Sequence, residues 1–289
     1  MQYIVASVLS FIVQNMSNKE FSRRLPCKLH GLALFNAIAL TFCAGALAVA
    51  GGIGTLSGGA WLLALAFAIT FDVTVVLIVI SMSMGPMGAT VLIINMSMML
   101  PVTAGLVVWG EQLTLLKGLG IACMLLVLVL SALGSDGDSK RGGVKWLALT
   151  IITMISNGVL SIQQKMLSMY FPNDGVLEFS FGAFGLAALI CWLAVALFKL
   201  RGASYQPWLS HRTALTLCAA GVGFGTAGGN TFQLMSLVML PAIVAFPLVQ
   251  GSVVLALWVL SLIVYRDKVT LPGILSLVAG IAGIVMLSI

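Results

Sequence analysis

Residues 61–84 read WLLALAFAITFDVTVVLIVISMSM, with Asp72 the one charged side chain among them. A helix needs about 20 apolar residues to cross the hydrocarbon core of a bilayer, and this run exceeds that length. The apolar residues are continuous rather than alternating, which points to a helix and not to a strand of a membrane barrel. In lipid, only helices and closed barrels satisfy their own backbone hydrogen bonds, so the stretch reads as a spanning helix.

The same reading extends in both directions. Between Lys28 and Glu111 only Asp72 is charged, which leaves room for three spans of about 20 residues each. Gly51, Gly52, Gly54, Gly58 and Gly59 mark the first break, and Gly85-Pro86 marks the second. Residues 1–18 suit one short span. Residues 118–135, 146–164, 179–198 and 269–289 are one charge-free span each, and 213–265 hold two, broken near Leu240-Pro241. The expected fold is all-α, a polytopic membrane protein of about ten transmembrane helices. The loops are expected to be short, with Gly134–Lys145 and Ala203–His211 the longest. No soluble domain is expected at either end, and Met1–Gln14 lacks the basic start and cleavage site of a signal peptide.

Composition agrees. The 289 residues are 61% hydrophobic and 8% charged, where soluble domains carry about 25% charged residues. The net charge of +6 arises from basic residues placed between apolar runs, the pattern of membrane flanks and not of a nucleic-acid patch. Of the five cysteines, Cys43, Cys123, Cys191 and Cys218 lie within apolar runs and Cys27 does not; none form a C-x-x-C pair. With two histidines in the chain, neither a metal centre nor a cofactor is expected.

The two halves of the sequence resemble each other. Asn18-Lys19 aligns with Gln164-Lys165, and Pro26 with Pro172. In a second register Ser81, Pro86, Asn95 and Ser97 align with Ser236, Pro241, Gln250 and Ser252. Glu111 and Thr114 then align with Asp267 and Thr270. Residues 1–135 and 144–289 would each be a five-helix repeat. An odd number of spans inserts the second repeat upside down, giving the inverted-repeat plan of many secondary transporters, with substrate held near the midplane.

Five plus five spans, Pro86, Pro101 and the run Trp109-Gly110-Glu111-Gln112-Leu113-Thr114 resemble the drug/metabolite transporter superfamily, in its EamA-like family. Lys19/Pro26 and Lys165/Pro172 fit the family's ends of the first and sixth spans, and Arg266-Asp267-Lys268-Val269-Thr270 is a degenerate copy of the turn motif. The resemblance implies export or exchange of small metabolites, amino acids or drugs without ATP hydrolysis. It also implies a central site lined by spans 1, 3, 4, 6, 8 and 9. Orientation departs from it. All 14 basic residues except Lys117 and Lys165 fall after odd-numbered spans, which places both termini outside, whereas EamA-like proteins keep both termini in the cytoplasm.

Asp72 is the sharpest single candidate. An ionisable residue inside a span is costly and normally faces a wet cavity where it binds protons or cations; the alternative is a structural carboxyl satisfied by neighbouring Thr or Asn groups. Asn15 and Asn18 share one face of the first span, and Asn157, Ser161 and Gln164 share one on the sixth. Asn95 and Gln250 are repeat mates, and Asn230 and Gln233 share a face of the eighth span. Each is a candidate substrate contact, with interhelical polar bonds as the alternative. Lys165 and Lys19 either snorkel to the interface or, for Lys165, turn inward to meet a substrate carboxylate or Asp72. Glu111 reads as a loop or helix-terminus contact.

Gly221, Gly225 and Gly229 have the spacing of a close helix contact. Gly223-Phe-Gly225-Thr-Ala-Gly228 matches a dinucleotide fingerprint only literally, with no strand before it. Met82, Met84, Met87, Met96, Met98 and Met99 cluster around the third and fourth spans, either as an adaptable apolar pocket or as ordinary core and lipid-facing residues.

The sequence therefore predicts a secondary active transporter of small metabolites or drugs, not an enzyme, working by alternating access in the bacterial cytoplasmic membrane. Its partners would be a small-molecule substrate, membrane lipid and protons as the candidate coupling ion, with no nucleic acid. A monomer and a homodimer are both compatible. A passive channel or facilitator is the rival reading. An intramembrane lipid enzyme is a weaker one, since no H-E-x-x-H occurs and neither His30 nor His211 lies mid-span.

Overall fold

The computed structural model describes residues 1–24, 29–85, 87–133, 143–205, 212–260 and 271–288. Cys27, Lys28, Pro26, Pro86, Lys140, Arg141, His211 and the second turn motif Arg266–Thr270 lie outside the described residues. The described residues are helical, with no strand. The helices are α1 (Gln2–Arg24), α2 (Leu29–Leu47), α3 (Gly58–Met84), α4 (Met87–Asn95), α5 (Met99–Val107), α6 (Leu115–Leu133), α7 (Val144–Tyr170), α8 (Val176–Leu200), α9 (Arg212–Met239), α10 (Ala242–Leu260) and α11 (Leu271–Ser288).

The expected breaks fall where glycine and proline put them. α2 ends in a π turn, Ala48–Gly52, in which Gly51 takes φ 97°, a conformation open to glycine at little cost. α9 stops at Met239, one residue short of the Leu240-Pro241 pair, because the residue before proline is pushed out of helical geometry. α4 and α5 are one span divided by a 3-10 turn, Met96–Met98. Pro101 has no N–H to donate to the carbonyl of Ser97 and its ring crowds that carbonyl, which accounts for the tightened turn just before it.

Among the described residues, six helices are long and apolar enough to cross a membrane: α2 with its π turn, α3, the α4–α5 pair, α7, α8 and α10. The chain is an integral membrane protein. α6 and α11 are apolar as well, over Leu115–Leu130 and Leu271–Leu287. α1 and α9 fall below the same hydropathy because they carry hydroxyls, amides and glycines that they use against each other, as described next.

The chain divides into two compact units, and the divisions fall inside α3, α7 and α9. One unit contains Gln2–Asp72 and Met166–Met235. Here α9 lies against α1 on a row of glycines. A Cβ on Gly225 would sit 2.6 Å from the backbone N of Gln14 and 2.7 Å from the backbone O of Ser10, while Gly221 covers Ser17 and Gly229 covers Phe11. Gly223 points elsewhere, onto Ala39 and Cys43 of α2. The close approach lets Ser7 Oγ donate to Gly229 O at 2.8 Å and Gln14 Nε2 donate to Thr226 Oγ1 at 2.9 Å. Phe67, Phe71, Phe179 and Phe184 form an edge-to-face and stacked group between α3 and α8. At one end of these helices Asp174 accepts from both N and Oγ of Ser57, the residue before α3.

The other unit contains Val73–Lys165 and Ser236–Ile289. α11 packs on α6 through Gly120 and Gly283, where Cβ atoms would meet Leu287 at 2.8 Å and Cys123 at 3.1 Å. α10 is buried continuously from Ala242 to Val249. Both units draw on residues before and after the 134–143 segment.

Candidate functional site

Asp72 lies midway along α3. Its Oδ1 accepts from the thiol of Cys191 on α8 at 3.4 Å, a long and weak contact. Its Oδ2 is buried with no hydrogen-bond partner among the described residues. The Thr hydroxyls one turn and less away are turned to other acceptors: Thr70 Oγ1 donates to Ala66 O, and Thr74 Oγ1 bonds Ser156 Oγ at 2.6 Å. A buried polar atom left unpaired costs about 1–3 kcal/mol, so native proteins rarely keep one without a use.

The second constellation gathers around the turn motif, within the unit that holds Val73–Lys165 and Ser236–Ile289. Glu111 Oε1 accepts from the amide of Ala242 at 2.8 Å, and Oε2 from the amide of Ile243 at 3.0 Å. These are the first two N–H groups of α10, which have no acceptor within the helix, and a carboxylate there also meets the positive end of the helix dipole. Lys165 Nζ lies 3.4 Å from Glu111 Oε1 and donates to Leu237 O at 3.2 Å and Leu240 O at 3.4 Å, carbonyls in the last turn of α9 and just beyond it. A cation thus terminates α9 and an anion starts α10, and the two neutralise each other beside Leu240-Pro241. Lys165 is 5% exposed.

The rest of the motif has matching tasks. Gly110 takes φ 63°, which turns the chain so that Glu111 N can reach Gly105 O at 2.9 Å. Trp109 packs against Leu237, Ala242, Ala245 and Phe246. Thr114 Oγ1 accepts from Lys117 N and caps α6.

A hollow of about 370 Å³ lies beside this cluster, lined by Met99, Leu100, Thr103, Ala104, Val107, Val108 and Ile162. At one end Leu100 closes onto the bare backbone of Gly158. Thr103 spends its hydroxyl on Met99 O, so the lining is effectively apolar.

The remaining candidates divide between the units. With Lys165 in one unit are Asn95, Asn157, Gln164 and Gln250; with Asp72 in the other are Asn15, Asn18, Asn230 and Gln233. Asn157 Nδ2 donates to Ser97 Oγ at 2.7 Å, tying α7 to the 3-10 turn. Asn95 and Gln250 are half-buried, and Gln164 and Gln233 are buried. Asn230 donates to Thr226 O within its own helix. Asn15 donates to Phe11 O of its own helix and, like Asn18, is exposed; the face α1 turns to α9 carries Ser7, Ser10, Gln14 and Ser17 instead. Lys165 does not snorkel: it is buried in an ion pair. Glu111 is the helix-terminus contact its motif position suggests.

The sequence gives no sign of two members of these clusters. Cys191 reads as a packing residue, and only the fold brings its thiol to Asp72. Trp109 reads as part of a turn, yet its Nε1 is buried with no acceptor among the described residues. Among the described residues, Cys43, Cys123, Cys191 and Cys218 form no disulfide, and no group of His, Cys, Asp or Glu is placed to hold a metal.

No protein-family model matches the sequence, and no curated protein matches it. The fold is similar to that of a protein of known crystal structure, with a TM-score of 0.73 at 13% identity, covering 99% of this chain and 94% of the other. At that identity the likeness concerns the fold alone.

Proposed function

We propose that this protein is a secondary active transporter of small metabolites or drugs, of EamA-like type, acting by alternating access in the bacterial cytoplasmic membrane. The reading takes α1, α6, α9 and α11 as spans beside the six apolar helices, giving ten, and takes residues 1–135 and 144–289 as inverted repeats. The observation that carries it is Asp72: a carboxylate midway along an apolar helix, with one oxygen buried and unbonded. A structural carboxyl would have both oxygens engaged. One that must take up and release a proton or cation in each cycle keeps an oxygen open for it. In that cycle Asp72 is the coupling group, protonated from one side and deprotonated when substrate enters from the other.

The test is proton release from purified protein on addition of a ligand panel, followed by pH-gradient-driven uptake into liposomes. Wild type is expected to release protons with its substrates and to accumulate them against a gradient. Asp72→Asn is expected to lose both by at least about tenfold while retaining saturable counterflow. Undiminished gradient-driven uptake by Asp72→Asn removes the coupling role. Flux without saturation or counterflow in wild type identifies a channel instead.

A further inference from the structure

Two stripes of α1 reach the surface, and they differ in kind. Val5, Leu9 and Val13 recur every four residues and are exposed throughout. They are aliphatic, as lipid requires of a face it covers. The second stripe runs through Ile4, Val8, Phe11, Asn15 and Asn18, spaced by fours and threes on another side of the helix. Its exposure changes along its length. Ile4 is 6% exposed, Val8 and Phe11 are half-buried, and Asn15 and Asn18 are exposed. The ring of Phe11 lies over Gly229 of α9, so this stripe turns toward the protein's own helices and not outward.

Residue type changes where exposure does: apolar side chains where the stripe is covered, amides where it opens. Lipid does not account for that, because an amide in hydrocarbon leaves its hydrogen bonds unmade. Asn15 Nδ2 donates to Phe11 O of its own helix, and its Oδ1 accepts nothing among the described residues. Asn15 lies nine residues before Arg24, the last of α1, a rise of about 13 Å. The hydrocarbon core is about 30 Å thick, so an α1 that spans it carries Asn15 near the middle.

α9 repeats the gradient. It runs antiparallel to α1, with Phe232 stacked on Tyr3, Gly229 under Phe11 and Gly221 under Ser17. From Gly225 to Met235 no residue of α9 is exposed, whereas Arg212, Thr213, Leu217 and Phe224 are. The pair is thus wrapped where α1 begins and open where it ends.

We propose that the Asn15–Asn18 face of α1 is the wall of a water-filled vestibule, open at the end of α1 and closed at its start, by which polar solutes reach the middle of the membrane. A solute that enters this way comes from water and not from the lipid. The substrate class is therefore a hydrated metabolite with N–H or O–H groups for the Asn15 carbonyl, rather than an apolar drug. The inference rests on reading the protein as a transporter with α1 as a span.

Cysteine accessibility in membrane vesicles of both orientations tests it. The reagent is the impermeant 2-(trimethylammonium)ethyl methanethiosulfonate, which attacks thiolates, and a thiol ionises only where water reaches it. Modification at each introduced cysteine is read by peptide mass, which separates it from the native thiols. Asn15→Cys and Asn18→Cys are expected to react at least about tenfold faster than Val13→Cys on the lipid stripe and Val8→Cys on the covered part of the same stripe. Asn15→Cys should react in one vesicle orientation only, and its modification should lower counterflow of a polar substrate by at least about tenfold.

Equal rates at Asn15→Cys and Val13→Cys, or reaction of Asn15→Cys in both orientations, overturns the proposal. So do disulfide-linked dimers of Asn15→Cys, which would put a second copy of the chain on this face. The two readings fail separately. One-sided reactivity at Asn15→Cys without saturable counterflow of any solute keeps the vestibule and removes the transporter. Counterflow in wild type with an unreactive Asn15→Cys keeps the transporter and removes the vestibule.

Discussion

Glu111→Ala will destabilise the protein by about 3–5 kcal/mol, the range for removing one member of a buried ion pair. Two losses combine. Lys165, at 5% exposure, is left with a charge and no carboxylate at Glu111's position. The amides of Ala242 and Ile243 lose their acceptor, and an N-cap lost to alanine alone costs about 0.5–2 kcal/mol. The measurement is the unfolding midpoint of the purified protein in mixed micelles titrated with a denaturing detergent. Glu111→Ala with Lys165→Met should recover part of the loss, since the uncompensated charge is gone and only the cap is missing. A single-mutant effect below about 1 kcal/mol would place the pair among weak surface-type contacts and sink the account given of it.

The second large effect belongs to Gly225. A side chain there strikes the backbone of α1 at Gln14 N and Ser10 O, and backbone cannot rotate away as a flexible side chain can. Overpacking of this kind costs about 1–3 kcal/mol for small insertions and more for large ones. Gly225→Leu is therefore expected to separate α9 from α1, break the Ser7–Gly229 and Gln14–Thr226 bonds and abolish a cooperative thermal transition. Gly225→Ala should sit in the lower range. Gly185 of α8 is the control, because a Cβ on it meets nothing within 4 Å. Gly185→Ala should raise stability by about 0.4–1 kcal/mol through the unfolded chain's lost freedom. If both alanine variants move the midpoint the same way, close backbone contact is not what holds these helices together.

These two sites differ in how far the sequence reveals them. The glycine row is legible because its spacing is local: three glycines at intervals of four define a helix face without reference to any other part of the chain. The breaks at Gly51-Gly52 and Leu240-Pro241 are legible for the same reason, each acting on its own backbone. What the glycines pack against is not legible, and the polar face of α1 shows the consequence. Asn15 and Asn18 share a face of α1, yet the contact uses Ser7, Ser10 and Gln14, because that is the face the glycines of α9 approach.

Ion pairing is less legible still. Lys165 at a helix end among polar neighbours has the pattern of a snorkelling residue, and nothing within its own helix indicates that α9 ends over it. Glu111 could be read as a helix-terminus contact from its motif, but not that the terminus would be that of α10. The orphaned Oδ2 of Asp72 and the orphaned Nε1 of Trp109 are statements about everything around them, and such absences are fixed only once the whole fold is in place.

The capping of α10 by Glu111 also sets an order of events at the ribosome. The chain is made from its N-terminus, so Glu111 and then Lys165 are in the membrane well before Leu237, Ala242 and Ile243 are synthesised. The early anion and cation have each other as partners during that interval. When α9 and α10 emerge, they meet a pair already shaped to receive a helix end of each polarity. The elbow at Leu240-Pro241 is thus docked by a template older than itself, and a nascent chain stalled before Ala242 would hold the template with nothing bound to it.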